Sequence, residues 1–298
     1  MARFEGVYVA VVTPFKESGQ VDSQRLDEIS KWLIDEGVQG LVPAGSLGEY
    51  ATLTWEERRK VVETVVAAAK GRVPVLVGSG APSTRQATDW AHHAKEVGAA
   101  GIMALPPVNY APLEKEIIAH YEALSSVGLP IVAYNNPHDY PTDLTPDVLI
   151  QLSRLENVVA VKEFSGDIRR VHDILDQTDL EVMIGVDNLA LEGPVAGATG
   201  WIAGVPNALP RPCVELFRLA REGNIAEALP LYRRLLPLFH YDASPQLVQA
   251  IKWMMKLAGQ PVGETRPPRL PLPEEKYQEI QSAFERAVGK REESHAGK

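Results

Sequence analysis

Cysteine is nearly absent from this sequence, since Cys213 is the single one among 298 residues. One cysteine excludes an intrachain disulfide framework and any metal site built from several thiolates. Metal-binding histidine motifs such as H-E-x-x-H are also missing, and the adjacent His92 and His93 have no carboxylate partner at a ligand spacing. The sequence therefore predicts no catalytic zinc.

An excess of positive charge is lacking as well. Thirty Lys and Arg residues stand against 39 Asp and Glu, which gives a net charge of −9. Proteins that bind nucleic acid or anionic membranes through their overall field are basic, so neither partner is expected. The apolar runs are short, and the start Met1–Gly6 lacks the apolar core of a signal peptide. These absences favour a soluble protein of the cytoplasm.

What the sequence does contain is a regular alternation of short β-branched runs with amphipathic helical stretches. The predicted strands are Val7–Val12, Gly40–Ala44, Val73–Val77, Gly101–Leu105, Leu129–Tyr134, Val158–Lys162, Glu181–Gly185 and Gly200–Ala203. Buried strands separated by helices pair in parallel. Eight such units favour a (β/α)8 TIM barrel, an α/β fold, over an open doubly wound sheet. No G-x-G-x-x-G motif follows the first strand, which weakens the open-sheet alternative.

After Ala203 the alternation gives way to helical patterns. They cover Pro212–Glu222, Ile225–His240, Pro245–Ala258 and Glu274–Val288. We predict that residues 1–210 carry the barrel strands and most helices. Residues 211–298 would then supply the final barrel helix and a C-terminal helical extension within a single structural unit. The polar end, residues 289–298, is expected to fray.

Lys162 stands at the end of the predicted strand that begins at Val158. Catalytic groups of a parallel barrel lie at the carboxyl ends of its strands. A barrel strand is covered on both faces, and burying an ammonium without a purpose is costly. Burial lowers the pKa of a lysine, and the neutral amine can attack a carbonyl carbon to form a Schiff base. The alternative is a structural ion pair with Glu163 or another carboxylate.

Two further features are expected near Lys162. Tyr134 ends the preceding strand, and adjacent parallel strands lie about 4.8 Å apart, so its phenol could relay protons beside the lysine. The turn from Gly45 to Glu49 carries glycines around Ser46, a pattern that lets backbone N–H groups converge on an anion such as a 2-oxo acid carboxylate. An ordinary strand-to-helix turn is the alternative for the latter, and simple packing for Tyr134.

These segments belong to a larger set of motifs along the chain. The set comprises Thr13-Pro14-Phe15, Gly45-Ser-Leu-Gly-Glu49 with Thr52-Leu-Thr54-x-x-Glu57-Arg58, Tyr134-Asn-Asn-Pro137, and Val161-Lys162-Glu-Phe-Ser-Gly-Asp167. In this order on a barrel they resemble the dihydrodipicolinate synthase / N-acetylneuraminate lyase family, from about Phe4 to Pro273. The resemblance implies a (β/α)8 barrel, usually a homotetramer, that uses no metal and no organic cofactor.

The resemblance also implies roles for individual residues. The lysine that matches Lys162 forms a Schiff base with a 2-oxo acid, and the tyrosine that matches Tyr134 acts as acid or base. Ser46 matches a hydroxyl residue of the proton relay. The backbone amides of Ser46 and Leu47 match those that hold the substrate carboxylate. The main chain at Ile202 matches a position that touches the bound oxo acid.

Three departures bear on the substrate. Synthases of this family carry an arginine, which binds the carboxylate of the aldehyde partner, where this sequence has Asp139. A carboxylate at that position would repel such a partner. The synthases also borrow a tyrosine from a neighbouring subunit, and the aligned position is Asn109, with Tyr110 one residue later. Leu47 replaces a second hydroxyl residue.

The motifs Gly45–Tyr50, Tyr134–Pro137 and Arg266–Pro271 look most similar to a catabolic subgroup that includes 1-pyrroline-4-hydroxy-2-carboxylate deaminases of hydroxyproline breakdown. We therefore expect a Schiff-base lyase for a 2-oxo acid or cyclic imino acid, and this deaminase as its most specific form. The alternatives are 4-hydroxy-tetrahydrodipicolinate synthase in lysine biosynthesis and a 2-oxo acid aldolase. A barrel that binds a small acid without catalysis is the alternative from a different class.

Overall fold

The fold of residues 4–289, which the computed structural model describes, is an eight-stranded parallel barrel. The strands are β1 (Gly6–Ala10), β2 (Gly40–Val42), β3 (Leu76–Gly78), β4 (Gly101–Ala104), β5 (Ile131–Asn135), β6 (Val158–Glu163), β7 (Glu181–Ile184) and β8 (Gly200–Ala203). Their order is β2-β1-β8-β7-β6-β5-β4-β3, and a parallel bridge between Leu41 and Val75 joins the two ends of the sheet. The predicted TIM barrel is confirmed.

Helices separate successive strands and continue after the last one. Within residues 4–289 they are α1 (Ser23–Asp35), α2 (Trp55–Ala69), α3 (Thr84–Glu96), α4 (Glu114–Ser125), α5 (Pro146–Leu152), α6 (Arg169–Gln177), α7 (Glu192–Val195), α8 (Pro210–Arg221), α9 (Ile225–Phe239), α10 (Leu247–Leu257) and α11 (Glu274–Ala287). None of these helices has the length and apolar character that a membrane crossing requires. The predicted fraying of residues 289–298 falls outside the described residues, apart from Gly289.

Local sequence explains where several elements begin and end. Thr54 caps α2 through a hydrogen bond from the Glu57 amide, and the Glu57 carboxylate accepts from the Thr54 amide in return. Such a reciprocal box satisfies two N–H groups that the first helical turn leaves unpaired. Beyond the last turn of α3, Gly98 adopts a φ of +80°. This left-handed backbone costs glycine little and ends the helix.

Several strands are shorter or displaced relative to the sequence prediction, and the third and the first illustrate the cause. The third strand was expected over Val73–Val77 but begins at Leu76. Pro74 has no N–H to donate to a neighbouring strand, which delays regular pairing. The first strand was expected to reach Val12 but ends at Ala10, because the Asn207 side chain takes over there. Its amide nitrogen donates to the Ala10 carbonyl, and its oxygen accepts from the Val12 amide.

A buried ion pair ties the C-terminal helices to the turn after β2. Lys252 of α10 lies 2.9 Å from the carboxylate of Glu49, and both side chains are almost completely buried. The Glu49 carboxylate also accepts the backbone N–H of Arg266, and the Arg266 guanidinium binds Glu57 at the start of α2 at 2.7 Å. The helical extension is therefore attached to the same turn that carries Ser46.

We expect the variant Glu49→Gln to lower the free energy of unfolding by about 3 kcal/mol, because it leaves the buried Lys252 ammonium without its counter-charge. Urea unfolding followed by circular dichroism measures this. The control Asp27→Asn removes an ion pair with Lys31 that is exposed, and it should cost less than about 1 kcal/mol. Equal effects of the two variants would contradict the assignment of stability to the buried pair.

Candidate active site

Lys162 lies at the carboxyl end of β6 with its side chain in the barrel interior. It is 5 % exposed, and its Nζ lies 4.2 Å from the ring centroid of Tyr134 and 5.4 Å from that of Phe164. Within residues 4–289 no carboxylate oxygen lies within ion-pair distance of this nitrogen. The amine is therefore surrounded mainly by aromatic faces.

This environment changes the protonation of Lys162. Burial disfavours the charged form and lowers the pKa of the amine to about 8, although the negative charges of Asp242, Asp187 and Asp139 act in the opposite direction. A lysine with such a pKa is substantially neutral at mildly alkaline pH, and the neutral amine is the nucleophile. The site can therefore supply an amine that attacks a carbonyl carbon.

The alternative for Lys162, an ion pair with Glu163, does not occur. Glu163 points to the opposite face of β6, where its carboxylate accepts hydrogen bonds from the Asn135 side chain at 3.1 Å and from the Ser165 amide at 2.6 Å. Burial, opposed by these hydrogen bonds, raises the pKa of Glu163. Alternation along the strand thus separates the carboxylate from the amine.

Tyr134 faces Lys162 because the two strands pair with a one-residue irregularity. Ile131 pairs with Val158, but Val132 pairs with Ala160, so that Tyr134 comes opposite Lys162. Paired residues of parallel strands point to the same face, and without this shift Tyr134 would pair with Val161 instead. The predicted proximity of the phenol to the amine is confirmed.

The Tyr134 hydroxyl has a defined set of partners. Its oxygen accepts a 3.0 Å hydrogen bond from the Asn136 side chain, and Ser46 lines the same cavity. Burial raises the pKa of Tyr134 well above the usual value, so the phenol stays neutral over the working pH range. Because its oxygen accepts from Asn136, its own proton is available to Ser46 or to a bound substrate.

The turn after β2 brings Ser46 and Leu47 to the same place. The Ser46 hydroxyl lies 2.8 Å from the hydroxyl of Tyr140, a residue that the sequence reasoning did not single out. In the part of the chain that the structure describes, the amides of Ser46 and Leu47 donate to no protein acceptor. They are therefore free to bind an anion, as backbone amides in such turns commonly do.

A cavity unites most of the predicted residues. Its inner part, about 30 Å³, is lined by Lys162, Tyr134, Ser46, Leu47 and Ile202, together with apolar neighbours. An outer part of about 280 Å³ shares several lining residues with it, among them Ser46 and the Asp139 that the sequence analysis flagged. The small inner part and the wider outer part suit a short 2-oxo acid with a variable second group.

Two buried aspartates face the lysine. Asp187, which follows β7, accepts hydrogen bonds from the amides of Gly204 and Val205 and from the indole N–H of Trp201. Burial raises the pKa of Asp187 to about 6. Asp242, which follows α9, lines both parts of the cavity, and burial together with the Asp187 charge raises its pKa well above the usual value.

Asp242 was missed because it lies between two predicted helices, far from the strands, where no sequence motif marks it. Arg269 lies within the Arg266–Pro271 motif, which the sequence analysis did not assign to the cavity. Its side chain lines the outer cavity and lies 3.9 Å from the Glu49 carboxylate. The outer cavity thus contains Asp139 at the position that the sequence analysis compared with an arginine, and also Arg269 from the segment after α10.

Asn109 and Tyr110, considered as replacements for a borrowed tyrosine, do not line this cavity. Both are exposed, and Tyr110 is 89 % accessible with a φ of +62°. Asp139 does reach the cavity, at its exposed mouth, where the Asn136 side chain donates to its carboxylate at 2.8 Å. The cavity of a single chain is thus lined by all of the predicted site residues except Asn109 and Tyr110.

The arrangement of a strand-end lysine, a neutral tyrosine and free turn amides at the carboxyl end of a parallel barrel defines a lyase of the class I aldolase type. The comparisons agree: the model of the Dihydrodipicolinate synthetase family matches residues 3–287. The chain belongs to this family.

Individual relatives extend over almost the whole chain. The 4-hydroxy-tetrahydrodipicolinate synthase of Methanospirillum hungatei is 34% identical, with 95% of this chain and 100% of that protein covered. The crystal structure of a putative dihydrodipicolinate synthetase from Pseudomonas aeruginosa superposes with a TM-score of 0.92 at 32% identity, covering 96% of this chain and 100% of that one. A structure described as the first monomeric dihydrodipicolinate synthase variant gives a TM-score of 0.90 at 28% identity, covering 96% of this chain and 97% of that chain.

The pKa of Lys162 gives a testable pH dependence. The amine attacks only when neutral, so the rate of pyruvate adduct formation should rise with pH and level off above a midpoint near 8. Mixing with pyruvate at each pH, followed by borohydride reduction and intact-mass measurement, gives this rate. Lys162→Ala is the control and should give no adduct at any pH. A midpoint near the value of a free lysine would contradict the proposed effect of burial.

Proposed function

We propose that this protein is a lyase in which Lys162 forms a Schiff base with a 2-oxo acid or a cyclic imino acid. The observation that carries the proposal is the isolated, buried Lys162 amine next to the Tyr134 phenol and the free amides of Ser46 and Leu47. A purely structural lysine would have a carboxylate partner at ion-pair distance. A homotetramer, a cytoplasmic location and independence of metal and cofactor remain predictions.

The residues divide the chemistry among them. The amides of Ser46 and Leu47 hold the substrate carboxylate, and the main chain at Ile202 lines the opposite wall. Lys162 attacks the C2 carbon, and the carbonyl oxygen takes up a proton. Loss of water then gives the iminium. Tyr134 donates and accepts the protons of these steps, because it is neutral and its O–H is not bound to Asn136.

For the complete reaction, the relatives favour 4-hydroxy-tetrahydrodipicolinate synthase, since the relative quoted above bears that name. Condensation with an anionic aldehyde requires a cation at the outer cavity. Arg269 provides one there, although the Glu49 carboxylate at 3.9 Å already neutralises part of its charge. The synthase is therefore the first complete reaction to assay.

A second candidate, 1-pyrroline-4-hydroxy-2-carboxylate deaminase, is favoured by the carboxyl groups at the same cavity. Asp139 stands at the mouth and Asp242 deeper inside, and both oppose a second substrate carboxylate. The hydroxypyrroline has one carboxylate, which the turn amides alone would hold. Attack of Lys162 on C2 would open the ring, and the 4-hydroxyl would then leave as water. Hydrolysis of the C5 imine would take up one water and release ammonia, and hydrolysis of the Lys162 Schiff base would take up a second water and release 2,5-dioxopentanoate. An aldolase for another 2-oxo acid uses the same first step.

The test is reduction of the enzyme–substrate adduct. Incubation with pyruvate or with the hydroxypyrroline, followed by borohydride, should add the corresponding mass to the peptide that contains Lys162. Lys162→Ala should lose the adduct and all turnover. If neither compound leaves an adduct on the wild type while a small acid still binds to it, the lyase proposal is wrong and the protein is a binding barrel.

Charge variants at the mouth separate the two complete reactions. If the protein is the synthase, Asp139→Asn should lower KM for aspartate semialdehyde about fivefold by removing ~1 kcal/mol of repulsion, and Arg269→Gln should raise it by a similar factor. If it is the deaminase, neither substitution should change KM for the hydroxypyrroline by more than about twofold. Ammonia release and pyruvate consumption are the two readouts.

A further inference from the structure

We infer that Tyr140 completes a proton relay to the Schiff-base lysine within one subunit, acting through Ser46. This inference rests on the function proposed above. It assigns to Tyr140 the place for which the sequence comparison offered Asn109 and Tyr110. Tyr140 is a positioning residue in this scheme, because it reaches the reacting atoms only through another hydroxyl.

The geometry is a set of neighbouring hydroxyl groups. Tyr134 lies beside the amine and lines the inner cavity together with Ser46, Tyr140 follows at 2.8 Å from Ser46, and Tyr50 lies 3.5 Å from Tyr140. Between Ser46 and Tyr140 either oxygen can be the donor. A row in which each hydroxyl can both donate and accept passes a proton in either direction.

The position of Tyr140 is fixed by the turn after β5. The Oδ1 of Asn136 accepts the amides of His138 and Asp139, and the backbone carbonyl of Asn136 accepts the Tyr140 amide at 3.2 Å. Asparagine side chains commonly organise turns in this way. The same Asn136 side chain also donates to the Tyr134 hydroxyl, so a single residue orients both tyrosines of the row.

The chemistry requires a proton from outside the inner cavity. A neutral amine, a ketone and one proton give an iminium and one water. The nitrogen–carbon bond forms, the carbon–oxygen bond breaks, and the oxygen leaves as water. The inner cavity around Lys162 is small, and Tyr140 lines the larger outer cavity, which shares Ser46 and Asp242 with it. The hydroxyl row therefore connects the place where the proton is consumed with the place where solvent can supply it.

Burial supports transfer through neutral hydroxyls. Burial raises the pKa of both Tyr134 and Tyr140 well above the usual value, so both phenols are neutral before and after a proton is passed along. Tyr110 offers no such path in a single chain, because its ring is almost fully exposed and lies outside both parts of the cavity.

The experiment uses the full chain and trideuterated pyruvate. Loss of the methyl deuterons to solvent, followed by proton NMR, reports each cycle of Schiff-base and enamine formation. Tyr140→Phe should slow this exchange about 100-fold, the lower end of what positioned proton transfer contributes. The borohydride-trapped adduct at equilibrium should stay at the wild-type level, because a relay changes the rate in both directions and not the end point.

Two further variants make the comparison specific. Tyr277→Phe removes one phenol hydroxyl that accepts a hydrogen bond from the Leu272 amide outside the cavity, and its exchange rate should equal that of the wild type. Tyr110→Phe should also leave exchange unchanged. Thermal unfolding of each variant verifies that the fold persists.

The outcomes separate the inference from the function on which it rests. If Tyr140→Phe exchanges like the wild type, or if its equilibrium adduct falls together with the rate, the relay is wrong while the lyase stands. Loss of exchange in Tyr110→Phe alone would place the relay tyrosine on a second copy of the chain and also overturn the inference. If the wild type itself forms no adduct and shows no exchange, the proposed function fails and the relay with it.

Discussion

The arrangement at the carboxyl end of this barrel depends on the free-energy cost of burying one ammonium group, that of Lys162. Lys162 is buried, and among residues 4–289 no carboxylate lies at ion-pair distance from it, so its pKa falls to about 8. The surroundings moderate that fall, since three aspartate charges favour the protonated form. The amine is therefore partly neutral, and hence nucleophilic, at a pH near 8. The same burial raises the pKa of the neighbouring phenols of Tyr134 and Tyr140, so both remain neutral.

The second constraint is the register between β5 and β6. One additional residue in β6, near Val159, brings Tyr134 opposite Lys162 and sends Glu163 to the outer face, where Asn135 holds it. The period-2 pattern of the sequence located the lysine and its face correctly. It could not show the irregularity, because a bulge depends on how two strands pair and not on either strand alone.

Local patterns in the sequence therefore predicted the barrel, and they also singled out Lys162, Tyr134 and Ser46, which lie on one cavity; Leu47 and Ile202 were named from the family resemblance. The predicted strand ends were less accurate where a side chain from another segment replaces the hydrogen bonds between strands, as the Asn207 side chain does after Ala10. The outer part of the site was missed for the same reason. Asp242, Arg269 and Tyr140 come from segments without strand periodicity, and only the folded chain brings them to the cavity. Asp139 lines the cavity together with Arg269, whose position there depends on the folding of the segment after α10.

The tether between Glu49 and the C-terminal helices has a consequence for how the chain matures. The turn that carries Ser46 is made early in synthesis, whereas Lys252 and Arg266, which hold Glu49 in place, emerge some two hundred residues later. A nascent chain that has already formed most of its strands still lacks the groups that secure this turn. The active site is therefore completed only late in translation. A chain truncated before α10 would lack the groups that hold Glu49, and its site would be incomplete.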